Sequence, residues 1–310
     1  MSPVPVAIIV GPTAAGKTAL GIQLAAALGG EVVSADAFAV YRGMDIGTAK
    51  PRQEERREVP HHLLDVVEPT ERYSAGRFMQ DALQACADIE HRGKRAVVVG
   101  GTLFYVRALV WGLFPEPAKD PVLRGELEAS WRRDPEAVRA RLAEVDPEAA
   151  AAIALGDRQR VVRALEVYGV SGMPMSELWR QHPLDRPRLA HLLMGVNLPR
   201  KELHDRISVR VRKMFADGLV DEVRRLLAGG VLPVGHAMKA IGYRECVRVI
   251  SGDWSVAEAV EKAIVATRQL AKRQLTWLRR ERGVVWLDGP ATSWREQALR
   301  LVEGCGGAGD

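Results

Sequence analysis

Residues 11 to 18 read Gly11-Pro12-Thr13-Ala14-Ala15-Gly16-Lys17-Thr18, a complete G-x-x-x-x-G-K-[ST] phosphate-binding loop. The loop follows an apolar run, Val4 to Val10, that reads as a buried strand. It runs into Lys17–Leu28, whose apolar spacing predicts a helix. A strand, such a loop and a helix in that order commit the chain to an α/β core. The N–H groups of the loop and of the helix N-terminus point at an anion. Lys17 adds a point charge for terminal phosphate oxygens, and the Thr18 hydroxyl is placed to ligate Mg²⁺. The motif specifies a polyphosphate and leaves its identity open.

Further strands are expected at Glu31–Ser34, His62–Val66 and Ala96–Gly100, with helices at Ala75–Arg92 and Leu103–Trp111. This alternation predicts a P-loop NTPase-like core with a mostly parallel sheet, and ligands collect at the carboxyl ends of such strands. The loop Gly11–Thr18, Asp36 and Thr102 each follow a strand end, so they are expected in one crevice. The pattern changes in the proline-rich stretch Phe114–Pro121. From Val122 to about Trp179 the signal is helical only, with starts at Asp120-Pro121, Asp134-Pro135 and Asp146-Pro147, each an N-cap residue followed by proline. A second proline-rich stretch, His182–Pro187, closes this segment, and strand signal returns at Leu189–Val196. Roughly 80 largely helical residues follow Pro199, then a last strand at Gly283–Asp288 and a frayed tail from Gly304. The expected division is a core from residues 1–115, an all-helical insertion from 116–187, and a return to the core with a helical C-terminal region from 188–310.

The run Ser34-Ala-Asp36 through Tyr41-Arg-Gly-Met-Asp-Ile-Gly-Thr-Ala-Lys-Pro51 resembles the bacterial tRNA dimethylallyltransferases, also called tRNA isopentenyltransferases. So do His61-His62-Leu-Leu-Asp65, Val99-Gly-Gly-Thr102 with Tyr105, Arg163-Ala-Leu-Glu-Val167 and Thr267-Arg-Gln-Leu-Ala-Lys-Arg-Gln-Leu-Thr-Trp277. These blocks fall in family order across nearly the whole chain. The resemblance implies alkylation of an adenine N6 amine by dimethylallyl pyrophosphate, with Mg²⁺ and with a tRNA anticodon stem-loop as partner. It places the donor diphosphate on Gly11–Thr18 and Arg160, and makes Asp36, Thr102 and Lys17 catalytic. Asp36 would take the amine proton, because a lone pair conjugated into the ring makes N6 a poor nucleophile. A competing reading makes Asp36 a Mg²⁺ ligand, and another makes Thr102 only the cap of the helix that follows it.

Contacts to tRNA are implied for Asp36, Ala37, Phe38, Ala39, Thr102, Arg124, Gln159, Arg160, Val161, Val162, Arg163, Lys239, Tyr243 and Arg244. Read alone, the arginines among them would be solvated charges. Ala37 and Ala39 stand where many relatives carry Ser and Gln, and Leu103-Phe104 replaces a frequent Gly-Leu. A relative acting on free adenine nucleotides would need neither the helical insertion nor the basic C-terminal helices. A small-molecule kinase would need an adenine pocket for ATP, and a non-catalytic RNA-binding protein would not need Lys17, Thr18, Asp36 and Thr102 intact.

Composition adds bounds. A chain that is 47% hydrophobic and 27% charged can bury a full core. The net charge of +5 leans weakly toward a polyanionic partner. Three scattered cysteines, Cys86, Cys246 and Cys305, form no disulfide framework or zinc site and fit a reducing cytoplasm. No apolar run reaches the ~20 residues of a membrane span, so no membrane partner is expected; the strand signal at the N-terminus leaves no room for a signal peptide, and a monomer is expected. His61 and His62 lack metal-ligand spacing and read as structural.

Overall fold

The computed structural model describes residues 5–114, 117, 119–181 and 186–306. Val4, parts of both proline-rich stretches and residues 307–310 lie outside them. The chain divides into two compact units, Met1–Val110 with Arg188–Asp310, and Trp111–Pro187.

The first unit is built on β1 (Val6–Val10), α1 (Lys17–Ala27), β2 (Glu31–Ser34), α2 (Gln53–Glu58), β3 (His61–His62), α3 (Ala75–His91), β4 (Ala96–Gly100) and α4 (Leu103–Trp111). Among its described residues the second unit holds five helices: α5 (Pro121–Arg133), α6 (Pro135–Val145), α7 (Pro147–Ala152), α8 (Arg158–Ser171) and α9 (Met175–Gln181). The chain returns to the first unit with β5 (His191–Gly195), α10 (Arg200–Ala216), α11 (Leu219–Ala228), α12 (Tyr243–Ile250), α13 (Val256–Leu278), β6 (Val285–Trp286) and α14 (Trp294–Gly306). No helix among the described residues is long and apolar enough to cross a membrane.

The six strands form one sheet in the order β3-β2-β4-β1-β5-β6, and every pairing is parallel. Central strands of such a sheet are covered on both faces and so carry β-branched, apolar runs. In β1, Ile8, Ile9 and Val10 are fully buried. Because β4 lies between β1 and β2, the turn after β4 is flanked by the phosphate loop on one side and by the Asp36 turn on the other.

Of the expected strand His62–Val66 only His62 is strand, as the second residue of β3. Leu63 and Asp65 take positive φ, 60° and 56°, which no strand tolerates. Asp65 instead binds Lys50 and Arg56 (2.6 and 2.8 Å), and the Lys50 ammonium, almost wholly buried, also reaches Asp45 and the Tyr41 carbonyl. His62 Nε2 bonds to Glu31 at 2.6 Å, giving the histidine a structural partner. The last strand is also shorter than Gly283–Asp288, and α14 continues past Gly304 to Gly306.

The buried Glu222 carboxylate on α11 accepts the N–H groups of Asp45, Ile46 and Gly47 and the hydroxyl of Tyr243. Glu222→Gln turns an acceptor-only group into one that presents an NH₂ to donors. The expected loss is roughly 2–3 kcal/mol in urea unfolding. An unchanged midpoint would mean that water can replace the carboxylate there.

In the helical unit all three Asp-Pro starts form as the sequence predicts. Asp120 accepts from Val122 and Leu123, Asp134 from Ala137, and Asp146 from Ala149. Its core gathers Leu127, Val138, Leu142, Ile153, Val161, Val162 and Leu165.

Candidate active site

The phosphate loop leaves β1 at Gly11, which lies so close to β5 that a Cβ would stand 2.6 Å from the Val196 carbonyl. Gly16 takes φ 98°, a left-handed value that turns the chain into α1. From α13, Gln274 spans two loops. Its Oε1 accepts the Thr13 N–H at 2.8 Å, and its Nε2 donates to the Gly101 carbonyl at 2.8 Å. This side chain is buried and holds the phosphate loop against the turn after β4. Gln274→Leu removes both bonds and frees the loop. A several-fold loss of affinity for inorganic pyrophosphate is expected; an unchanged affinity would make Gln274 a packing residue only.

Lys17 Nζ donates to the Pro12 carbonyl at 2.7 Å and lies beside Gly101, where a Cβ would stand 3.5 Å from it. Burial pulls the Lys17 ammonium down to about 7; the Arg210 guanidinium pushes the same way and the Asp36 carboxylate opposes. Arg210, on α10, is also lowered by burial and supported by Asp36. An arginine stays charged in proteins. The Arg210 cation and the Lys17 amine therefore share one nearby carboxylate, and a bound anion would favour the protonated form of Lys17. The phosphate loop is built to offer such an anion its backbone donors.

Asp36 closes β2 in a tight turn. Its Oδ1 accepts the N–H groups of Phe38 and Ala39 at 2.8 and 3.1 Å. The Thr102 hydroxyl oxygen accepts the Ala37 N–H at 3.0 Å, while the Thr102 carbonyl starts α4 by accepting from Tyr105 and Val106. The side chain of Thr102 thus fastens the Asp36 turn and does not cap its own helix. Having accepted from Ala37, the hydroxyl keeps its proton free to donate elsewhere. Lys17, Asp36 and Thr102 converge as the strand ends require.

Other residues of the expected RNA contact are placed differently. Tyr243 is fully buried with its hydroxyl on Glu222 at 2.6 Å, so its side chain is a core element. Val161 and Val162 are buried within the helical unit, and Ala39 is buried in the first. Arg124 and Arg163 both point at the fully buried Glu166, each 2.9 Å from its Oε2, which accounts for them as counter-charges. Gln159 and Arg160 are exposed on α8, with Arg160 Nε 3.4 Å from Asp157. Lys239 and Arg244 are exposed on the first unit. Ala37 is partly exposed, and the Phe38 ring stacks on His236 with centroids 6.0 Å apart.

Sequence reasoning missed Arg210 and Gln274 as site residues. Arg210 had a readable signal: it falls on the α10 stripe with Leu203, Ile207 and Val211, all buried, where a cation needs a reason. Gln274 lay inside a quoted block, and only the packing of α13 against the loops reveals its two bonds.

Fold and crevice together define a P-loop α/β protein of the NTPase-like kind, with the Asp36 carboxylate near Lys17 and the Thr102 hydroxyl on the Asp36 turn. Residues 39–281 match the family model described as IPP transferase, and the chain belongs to that family. A tRNA dimethylallyltransferase of Anaeromyxobacter dehalogenans is 51% identical over 286 residues, covering 91% of this chain and 94% of the relative. One from Thermomicrobium roseum is 47% identical over 302 residues, covering 96% and 91%. Among solved structures, the tRNA isopentenylpyrophosphate transferase of Bacillus halodurans superposes with a TM-score of 0.73 at 35% identity, covering 98% of this chain and 97% of the other. A eukaryotic dimethylallyltransferase acting on tRNA gives 0.80 at 28% identity, covering 96% and 77%.

Proposed function

We propose that this chain transfers the dimethylallyl group of dimethylallyl pyrophosphate to N6 of the adenosine immediately 3′ of the anticodon, in tRNAs reading codons that start with U. The observation that carries this reading is the Asp36–Thr102 pair standing beside a cationic phosphate loop. A kinase needs the loop, but it does not need a carboxylate and a hydroxyl tied together through Ala37. The relatives at about half identity bear the name of this activity.

The donor diphosphate lies on the loop N–H groups, Lys17 and Arg210. Thr18 is exposed at the start of α1, with a hydroxyl that makes no hydrogen bond among the described residues, so it fits a hard divalent cation. Mg²⁺ held there with diphosphate oxygens would offset the charge that builds on the leaving group. The extruded adenine presents N6 to Asp36, whose Oδ1 is committed to the turn, leaving Oδ2 to take the proton. The N6–carbon bond forms as the carbon–oxygen bond to pyrophosphate breaks, and the N6 proton passes to Asp36. Thr102 donates its free hydroxyl proton to the substrate and so orients it. Gln159 and Arg160 on α8 of the helical unit are exposed polar groups that suit RNA contact, and so, on the first unit, are Lys239 and Arg244.

The test is pyrophosphate release. It is expected only when dimethylallyl pyrophosphate, Mg²⁺ and an anticodon stem-loop RNA are all present. Release with AMP in place of RNA, or phosphate release from ATP alone, would contradict the reading.

A further inference from the structure

Helix α4 begins at the turn that holds Thr102 and is otherwise a core helix. Leu103, Tyr105, Val106, Ala108, Leu109 and Val110 are buried. Only Phe104 and Arg107 are exposed, and they lie three apart, on one face of the first turn and the next. Phe104 is 58% exposed. An isolated surface phenylalanine needs no explanation, but this one sits two residues beyond Thr102. Side chains on a helix lean toward its N-terminus, so the ring covers ground on the crevice side of its own Cα. Arg107 has no acidic partner within ion-pair distance among the described residues.

An exposed aromatic with an unpaired cation one turn further along is what single-stranded RNA recognition uses. A base stacks on the ring, and the adjoining phosphate meets the charge. Resting on the proposed RNA-modifying activity, we infer that Phe104 is a stacking platform for the base next to the reacting adenosine, and that Arg107 holds the phosphate beside it. Once the adenine is drawn out of the stack, its neighbour loses a stacking partner, and Phe104 supplies one at the rim of the crevice. The donor, lying deeper on the phosphate loop, does not need this face.

The test is binding and single-turnover transfer with a stem-loop RNA, for the full chain and its variants. Phe104→Ala is expected to weaken RNA binding about ten-fold with donor KM unchanged. Alanine suits an exposed helical position, so folding should be kept. Phe104→Tyr should restore binding. Arg107→Gln should lower the slope of log affinity against log salt by about 0.7. An RNA with an abasic site beside the reacting adenosine should lose the same factor with the wild-type protein and nothing further with Phe104→Ala. Unchanged RNA affinity in Phe104→Ala, or an abasic penalty of full size in that variant, overturns the inference while wild-type transfer stands. Absence of transfer by the wild-type protein brings down the proposed activity and this inference together.

Discussion

Asp36→Asn is expected to lower the rate of the transfer step by about 10²–10⁴-fold while leaving RNA affinity within about two-fold, a bound set here by the small change in a side chain that keeps its shape. The substitution is chosen for what it preserves. Asparagine keeps an Oδ1 that can accept from Phe38 and Ala39, so the turn after β2 survives. It removes only the basic oxygen on the other side. Alanine would be a poorer probe, because it leaves two N–H groups without their acceptor and loosens the loop that Thr102 fastens. Rates should be read from single turnovers, with RNA binding measured separately. A loss of RNA affinity that matches the loss of rate would make Asp36 a binding contact. Strong recovery of the variant by raised Mg²⁺ would favour the metal-ligand reading instead.

Lys17→Met should weaken donor binding by about 10²-fold, the scale of losing one or two charge-assisted hydrogen bonds. The same change should raise the melting temperature of the ligand-free protein, because Lys17 is an ammonium held in a site whose burial disfavours its charge. Loss of function with a gain of stability separates this from simple unfolding. The pH dependence follows from the same lowering. In the folded protein Lys17 titrates near 7, well below its ordinary 10.5. Between those two values the unfolded chain binds the extra proton, so the Lys17 contribution to stability rises as pH rises through that window. Donor binding runs the other way. A diphosphate favours the charged lysine, so binding draws in a proton above pH 7, and affinity should fall as pH rises from there. Titration calorimetry in two buffers of different ionisation enthalpy would detect that uptake. Binding in the Lys17→Met protein should take up no such proton.

Much of this was legible in the residues, for reasons that can be named. The phosphate loop could be read because its conformation demands particular residues: Gly16 at φ 98° and a lysine and threonine at the start of α1. The helix starts of the second unit were legible because aspartate followed by proline meets two local requirements at once. Convergence of Asp36 and Thr102 followed from parallel-sheet topology. What could not be read has a common cause, since it depends on what is distant in sequence. Residues 63–66 carry an apolar, strand-like beginning, yet Asp65 is drawn out of line to meet Lys50 and Arg56. The resemblance implies a tRNA contact for Tyr243 with Lys239 and Arg244, and the sequence does not reveal that Glu222 takes the Tyr243 hydroxyl inside the core. Arg124 and Arg163 looked like free cations because the carboxylate they share, Glu166, is not recognisable as buried from its neighbours. Arg210 and Gln274 act on loops that lie near the opposite end of the chain.

The most direct measurement is fragmentation mass spectrometry of an anticodon stem-loop RNA after incubation with this protein, Mg²⁺ and dimethylallyl pyrophosphate. The expected result is one added C₅H₈ unit, located on the adenosine immediately 3′ of the anticodon and absent with the Asp36→Asn protein on the same timescale. An RNA of unchanged mass beside intact donor, or the same unit found on AMP but not on the RNA, would contradict the assignment of this crevice to tRNA modification.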